Sequence, residues 1–304
     1  MKISSAVVTG GSGVIGTALI KRLVKEGIKV YAVCRHESSR NVNIPSNELV
    51  TRVECDIGNL QKLPGLIDAK ADAFFHLAWT GTTGQSRMDM YIQNNNVRYA
   101  LDSVKAAHAL GCSVYVGAGS QAEYGPVSDI MKPDTPVQPI SGYGMAKLCA
   151  GQMTRFMCKD LGIRHIWARI LSVYGINMPQ SSLIMYVISC LLKGDNPALT
   201  DGRQIWDYLF AADAAEAIFR MALYGQGGKV YVLGSGEARS MRDYVEEIKS
   251  LIDTSAELGF GKILYYKDQA MHLEADISEL KKDLEWEPCI NFREGISRII
   301  EELR

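Results

Sequence analysis

The sequence predicts an α/β chain: a doubly wound parallel sheet followed by a smaller, mixed lobe toward the C-terminus. Three observations carry that expectation. Short apolar runs recur along the first 170 or so residues with helical spans between them, as strands buried on both faces do. A glycine-rich turn, Thr9-Gly10-Gly11-Ser12-Gly13-Val14-Ile15-Gly16, joins the first run to the first helical span. After Tyr174 the alternation fails, and loops surround short elements instead.

Taken in order, residues 3–8 read as a buried strand and residues 13–26 as the helix behind it. Gly10, Gly13 and Gly16 stand at the spacing G-x-x-G-x-x-G, where positive φ and close backbone approach require glycine. The helix N-terminus offers free N–H groups and a partial positive charge, which suits a pyrophosphate. A glycine turn that binds nothing is the plainer alternative; its place between strand and helix favours a dinucleotide. Strands follow at 29–34, 49–55 and 73–77, then a helix at 88–110, a strand at 114–118, a helix at 143–161 and a strand at 164–170. Residues 175–179 and 193–203 read as loops around one short helix. A helix at 213–223 and a strand at 229–233 follow, and the tail holds two helices opened by Ser240-x-x-Asp243 and Asn291-x-x-Glu294. We expect a dinucleotide-binding domain of residues 1–174 and 205–233, and a substrate lobe of 175–204 and 234–304.

Composition narrows the functional classes. The 304 residues carry a net charge of −1 with no basic block, which points away from nucleic acid and anionic membranes. The apolar stretch at 183–192 is too short to span a bilayer, and no signal-peptide pattern precedes the first strand. Seven scattered cysteines without a C-x-x-C read as small core residues of a reduced, cytoplasmic protein rather than metal ligands, so no metal is expected.

The end of the second strand usually separates the two nicotinamide cofactors, an acidic residue favouring NAD and an arginine favouring NADP. Here the strand ends in Arg35, followed by His36, Ser38, Ser39 and Arg40, with no carboxylate at the strand end, so NADP(H) is favoured and NAD kept open. Asp56 would accept from the adenine amino group or cap the next helix. His76 reads as a packed core histidine. The chemistry lies in Tyr143-Gly-Met-Ala-Lys147, whose phenol and ammonium share one helix face. Nearby positive charge lowers a tyrosine pKa, and such a group moves protons to or from a carbonyl or alcohol oxygen. About one Y-x-x-x-K arises by chance at this composition. Ser120, placed at the carboxyl end of the fifth strand, lifts the motif above chance because all three residues map to the sheet end that carries the glycine turn.

Further motifs run nearly end to end: His76-Leu-Ala78, Asn94-Asn-Asn96-Val97, Ser120 four residues before Tyr124-Gly125, Arg169-Ile-Leu-Ser-Val-Tyr-Gly175, Asp207-Tyr-Leu-Phe-Ala-Ala-Asp213, Val230-Tyr-Val-Leu-Gly-Ser-Gly236, Ala275-Asp-Ile277 and Trp286-x-Pro288. With the glycine turn and the Tyr143 motif, the chain resembles the extended short-chain dehydrogenase/reductases of the nucleotide-sugar epimerase/dehydratase family. The resemblance implies a Rossmann domain in which Ser120 polarises the substrate oxygen, Tyr143 is the acid/base and Lys147 also holds the nicotinamide ribose. It places the cofactor against Gly10, Gly13, Val14, Ile15, Gly16, Arg35, Asp56, Ile57, Leu77, Ala78 and Asn96, the last supporting the active-site helix. It also implies a nucleotide-sugar substrate and a homodimer built on the helices near 88–110 and 143–161.

Three departures bear on the reaction. The dehydratases carry an Asp-Glu pair beside the serine or threonine, and here Gln121 and Ala122 follow Ser120. The arginine before the Asp207 motif is replaced by Trp206. A late Arg-Pro-Gly-Asp appears as Tyr266-Lys267-Asp268, leaving Arg203, Arg239, Lys267 and His272 as candidate cations for a diphosphate. With Trp79, Gln121, Ala122 and Trp206 as further candidates for the sugar site, the leading expectation is an NADP-dependent 4-ketoreductase of a nucleotide-linked sugar. An epimerase that retains its nicotinamide, and a non-catalytic NAD(P)-sensing protein, are the alternatives.

Overall fold

A computed structural model describes residues 2–252, 254–266 and 269–303. Its main sheet is made of β1 (Ser5–Thr9), β2 (Lys29–Cys34), β3 (Val50–Glu54), β4 (Ala73–His76), β5 (Val114–Ser120), β6 (Arg164–Ile170) and β9 (Val230–Leu233). The seven run parallel in the order β3-β2-β1-β4-β5-β6-β9. The order reverses between β1 and β4, so the loops after these two strands flank the crevice where a doubly wound sheet takes its ligand.

Alternation along the strands explains the two helical layers. Ala6 and Val8 face the core beneath α1 (Val14–Lys25) and α5 (Ala211–Tyr224), whereas Val7 faces the other core, beneath α2 (Met90–Ala109) and α3 (Gly142–Asp160). Every one of these β1 side chains is fully buried, as strands covered on both faces require. Asp89 caps α2 by accepting from the N–H groups of Tyr91 and Ile92, and Ser141 caps α3 by accepting from Gly144.

Beyond Tyr174 the structure is more regular than its sequence suggests. A second sheet centres on β8 (Ile205–Phe210), which pairs with β7 (Ser172–Tyr174) and β11 (His272–Leu273) in parallel and β10 (Ala238–Ser240) antiparallel. Residues 205–210, grouped by sequence with the first domain, thus form the spine of the small sheet. Their alternation is masked because Trp206 and Tyr208 are as apolar as Leu209 on the opposite face. The lobe's core packs Tyr174, Phe210, Tyr244 and Phe292 with the apolar face of α4 (Leu183–Lys193). The two expected capping starts open α6 (Met241–Ser250) and α8 (Phe292–Leu303): Ser240 accepts from Asp243 N–H, and Asn291 from Glu294 N–H. A third tail helix, α7 (Ser278–Leu284), has too few apolar positions to announce itself.

Asp207 joins the two sheets. Fully buried, it accepts from the main-chain N–H groups of Ser235 (2.6 Å), Gly236 (3.1 Å) and Ala275 (3.2 Å). Four of the cysteines are buried, while Cys149 and Cys289 are exposed. Among the described residues no helix is long and apolar enough to cross a membrane.

Candidate active site

The glycine turn has the geometry of a phosphate cradle. Gly10 sits at φ 77°, and a Cβ there would lie 2.8 Å from the Ala78 nitrogen in the loop after β4. A Cβ on Gly16 would stand 2.2 Å from the Gly10 oxygen, so this glycine lets α1 approach the turn. Gly13 closes the turn by donating to the Gly10 oxygen at 3.0 Å, and Val14 and Ile15 open α1 with no side-chain cap and no acidic residue in the first turn, leaving their N–H groups to an anion. Thr9 ties the turn to β4: its hydroxyl pairs with His76 Nδ1 at 3.0 Å and accepts from Ala78 N–H at 3.3 Å. Burial, with Lys147 adding to it, pushes His76 down to about 3, so it is a neutral core histidine. Leu77 and Ala78 are half-buried beside Gly10.

At the adenosine end the structure adds carboxylates the strand end lacks. Arg35 is exposed past β2, with Asn41 donating to its main-chain oxygen at 2.8 Å. His36 pairs with Glu54 of the neighbouring strand at 2.5 Å, and Glu37 turns out at φ 49°. The reading of a strand end free of carboxylate holds for β2 alone, because β3 brings Glu54 into register with Cys34. Arg40 reaches back to the glycine turn, donating to the Ser12 oxygen at 3.4 Å. Asp56 is exposed and caps the turn that begins at Ile57, accepting from Gly58 N–H at 2.8 Å.

Ser120, Tyr143 and Lys147 meet at the carboxyl end of β5, on the crevice side. Ser120 ends the strand, and its hydroxyl accepts from Ala122 N–H at 3.2 Å. Lys147 is buried on α3 and donates to the Ala118 oxygen at 2.6 Å, its Nζ 3.8 Å from the centre of the Trp79 ring. Burial pushes its pKa down to about 7, with Glu123 opposing. The Tyr143 ring lies between Trp79, edge-on at 6.1 Å, and the Arg87 guanidinium at 4.5 Å. Burial raises the phenol pKa, while the Ser120 hydroxyl and the Arg87 charge work against the rise. Asn96 holds the loop that carries Trp79: it donates to the Thr80 oxygen at 2.8 Å and accepts from Thr80 N–H at 3.0 Å. Its amide thus acts on the site through that loop. Trp79 itself donates to Gln93 at 2.9 Å.

The remaining candidates divide by place. Gln121 and Ala122 follow Ser120 in a short 3-10 turn beside the site. Trp206 lies on the face of β8 that looks toward Ser172, to which it donates at 2.7 Å. Arg203 is exposed and paired with Asp201, and Arg239 pairs with Glu247 at 2.8 Å while lying over the Tyr244 ring. His272 pairs with Glu274 at 3.1 Å. Lys267, with Asp268, lies outside the described residues.

Two residues beside Ser120, Tyr143 and Lys147 have no motif to mark them. Arg87 comes from the loop before α2, where no spacing ties it to Tyr143. Glu123 is fully buried and accepts from Ser120 N–H (2.8 Å), Trp167 Nε1 (2.9 Å) and Arg169 Nε (2.8 Å). The signal for it was a lone acid inside the Ser120–Tyr124 segment, with Trp167 and Arg169 alternating on the adjacent strand.

Comparison with known proteins fits this geometry. The chain is 27% identical to a dTDP-glucose 4,6-dehydratase of Xanthomonas campestris pv. campestris (strain B100), the match covering 97% of this chain and 92% of the relative. It is 27% identical to a UDP-glucose 4-epimerase of Azospirillum brasilense, covering 96% and 89%. The solved UDP-glucose 4-epimerase of Thermotoga maritima with UDP-glucose superposes with a TM-score of 0.88 at 22% identity, over 99% of this chain and 98% of the other. A family model described as the NAD dependent epimerase/dehydratase family matches residues 6–234, and with the phosphate cradle, Ser120, Tyr143 and Lys147 in place this chain belongs to that family.

Proposed function

We propose that the protein is an NADP-dependent 4-ketoreductase of a nucleotide-linked sugar. The observation that carries the reading is the state of the acids and bases around Ser120. The Tyr143 phenol carries its proton, and the Ser120 hydroxyl and the Arg87 charge work against the burial that weakens it as an acid, which supports donation to a carbonyl oxygen. Among the described residues, no carboxylate beside Ser120 is free to abstract the sugar proton that dehydration removes. Gln121 and Ala122 occupy the family's Asp-Glu positions, and both oxygens of Glu123 are held by Ser120, Trp167 and Arg169. What remains is proton delivery to a carbonyl oxygen held by Ser120.

The residues fit a nicotinamide dinucleotide. The Gly10–Gly16 turn would hold its pyrophosphate, Arg35 a 2′-phosphate, Leu77 and Ala78 would line it, and Lys147 would hold the ribose by exchanging its bond to Ala118. When bound, that cofactor supplies the hydride. Ser120 donates to the substrate oxygen, Tyr143 delivers the proton, and Lys147 and Arg87 stabilise the phenolate left behind. The division of labour between a dinucleotide lobe (1–174 and 205–233) and a sugar lobe (175–204 and 234–304) is part of this proposal, with strand 205–210 reassigned to the small sheet. A homodimer is supported by the face of α3 that leaves Phe156 69%, Met145 46% and Met153 44% exposed.

The test supplies a nucleotide-linked 4-keto-6-deoxy sugar to purified protein with NADPH. We expect NADPH consumed in proportion to the keto-sugar, and tighter binding of NADPH than NADH by about tenfold or more, reversed by Arg35→Asp. A protein that carries nicotinamide through purification and interconverts two sugars without net change in reduced cofactor is an epimerase instead.

A further inference from the structure

Beneath the site, on the face opposite α1 and α5, the sheet is cleared for one large side chain. A Cβ on Gly117 would lie 2.4 Å from the Trp167 ring, one on Gly119 2.3 Å from Trp167 Nε1, and one on Gly151 of α3 2.7 Å from the same ring. Three glycines on two elements thus leave the volume that the indole fills. Its N–H then points at Glu123 Oε1, 2.9 Å away, and the same oxygen accepts from Ser120 N–H at 2.8 Å. The other oxygen takes Arg169 Nε at 2.8 Å. Arg169 is itself buried, lies over the Tyr124 ring at 4.5 Å and donates to the Pro133 oxygen at 3.3 Å. An ionised carboxylate with both oxygens engaged by N–H donors is fixed in orientation.

We propose that Glu123 is the positioning residue of Ser120: clamped by Trp167 and Arg169, it fixes the serine main chain so that the hydroxyl stands against the Tyr143 phenol. The role rests on the reading of Ser120 and Tyr143 as the proton-transfer pair. Glu123 touches no substrate; it acts through the residue three positions before it. A hydroxyl at the end of a strand is otherwise free to follow the turn after it, and a shift of about 1 Å at such a pair costs on the order of 10²-fold in rate. The buried charge also leaves no tolerance for a neutral replacement, because an amide at this position must turn its NH2 toward a donor.

Two variants separate positioning from mere packing. Trp167→Phe keeps the ring volume and removes one N–H; Glu123→Gln keeps the shape and removes the charge. We expect kcat to fall about tenfold in the first and about 10²-fold in the second, with KM and cofactor affinity unchanged. In a Ser120→Ala background the same substitutions cost nothing further, since the hydroxyl they position is gone. Equal losses with and without the Ser120 hydroxyl, or losses in KM rather than kcat, overturn the proposal. A readout without substrate keeps it testable if no nucleotide-sugar is turned over, an outcome that removes the functional reading alone. Amide exchange at Ser120 is about tenfold faster in Glu123→Gln than in the wild-type chain, and exchange at the wild-type rate overturns the anchoring by itself.

Discussion

The two sheets place their ion pairs differently, although Asp207 of β8 is buried as well. At the carboxyl end of the large sheet, Lys147, Glu123 and Arg169 are all buried, and each is bonded to main chain or to another of the set. Around the small sheet the ion pairs are peripheral: Arg203 with Asp201, Arg239 with Glu247, Arg242 with Glu246, over a core of tyrosine and phenylalanine. A buried charge is costly unless its bonds are complete, but once complete it has one geometry. A surface pair is screened and mobile, which suits a wall that must adapt to a ligand. The large sheet therefore ends in the more rigid cluster, around Ser120, Tyr143 and Lys147.

The largest expected effect tests that rigid end. Tyr143→Phe keeps the ring between Trp79 and Arg87 and removes the proton, so turnover falls by about 10²-fold or more while cofactor binding, measured by titration, is retained. Unchanged turnover would reduce the cluster to packing.

A middle-sized effect concerns acid. His76 and His165, buried on either side of Tyr115, are both pushed down to about 3 by burial, with Lys147 and Arg155 adding to it respectively. The unfolded chain binds protons at these positions below about pH 6.5, and the fold does not until near 3. Their share of stability is whole above about 6.5 and is lost as the pH falls toward 3, about 2 kcal/mol for each at pH 5. His165→Phe, stacked as before between Tyr115 and Trp167, should narrow the difference in urea midpoint between pH 7.5 and pH 5. A difference as wide as in the unsubstituted chain would place the acid sensitivity elsewhere.

The smallest effect belongs to the other sheet. Arg203→Ala breaks an exposed pair with Asp201, and the melting temperature should not move outside error. A clear drop would mean that the small lobe also depends on its ion pairs, and the contrast would fail.

The same contrast governs what could be read in advance. Tyr143 and Lys147 lie one turn apart on α3, and Gly10, Gly13 and Gly16 span one turn and the start of α1, so their geometry is local and their spacing displays it. Ser120 was legible because β5 ends there. Glu123 was not, since its partners Trp167 and Arg169 are 44 and 46 residues away and only the β5–β6 register brings them under it. Arg87 reaches Tyr143 from an irregular loop, which has no periodicity to reveal it. The small sheet escaped for a related reason: its strands pair across 30 to 70 residues, and the apolar faces of β8 do not alternate with polar ones. Glu54 beside His36 is another product of register, invisible from β2 alone.

The three N–H groups gathered on Asp207 have a mechanical consequence. Ser235 and Gly236 follow β9 directly, so pulling the small sheet off the end of that strand would strip a buried carboxylate of two main-chain partners, while Ala275, beside β11, would move with it. Those two bonds fasten the spine of the small sheet to the chain as it leaves the large one. A joint bonded at the strand end leaves adjustment on this side of the molecule to rotamers and loop tips rather than to a swing of the whole sheet.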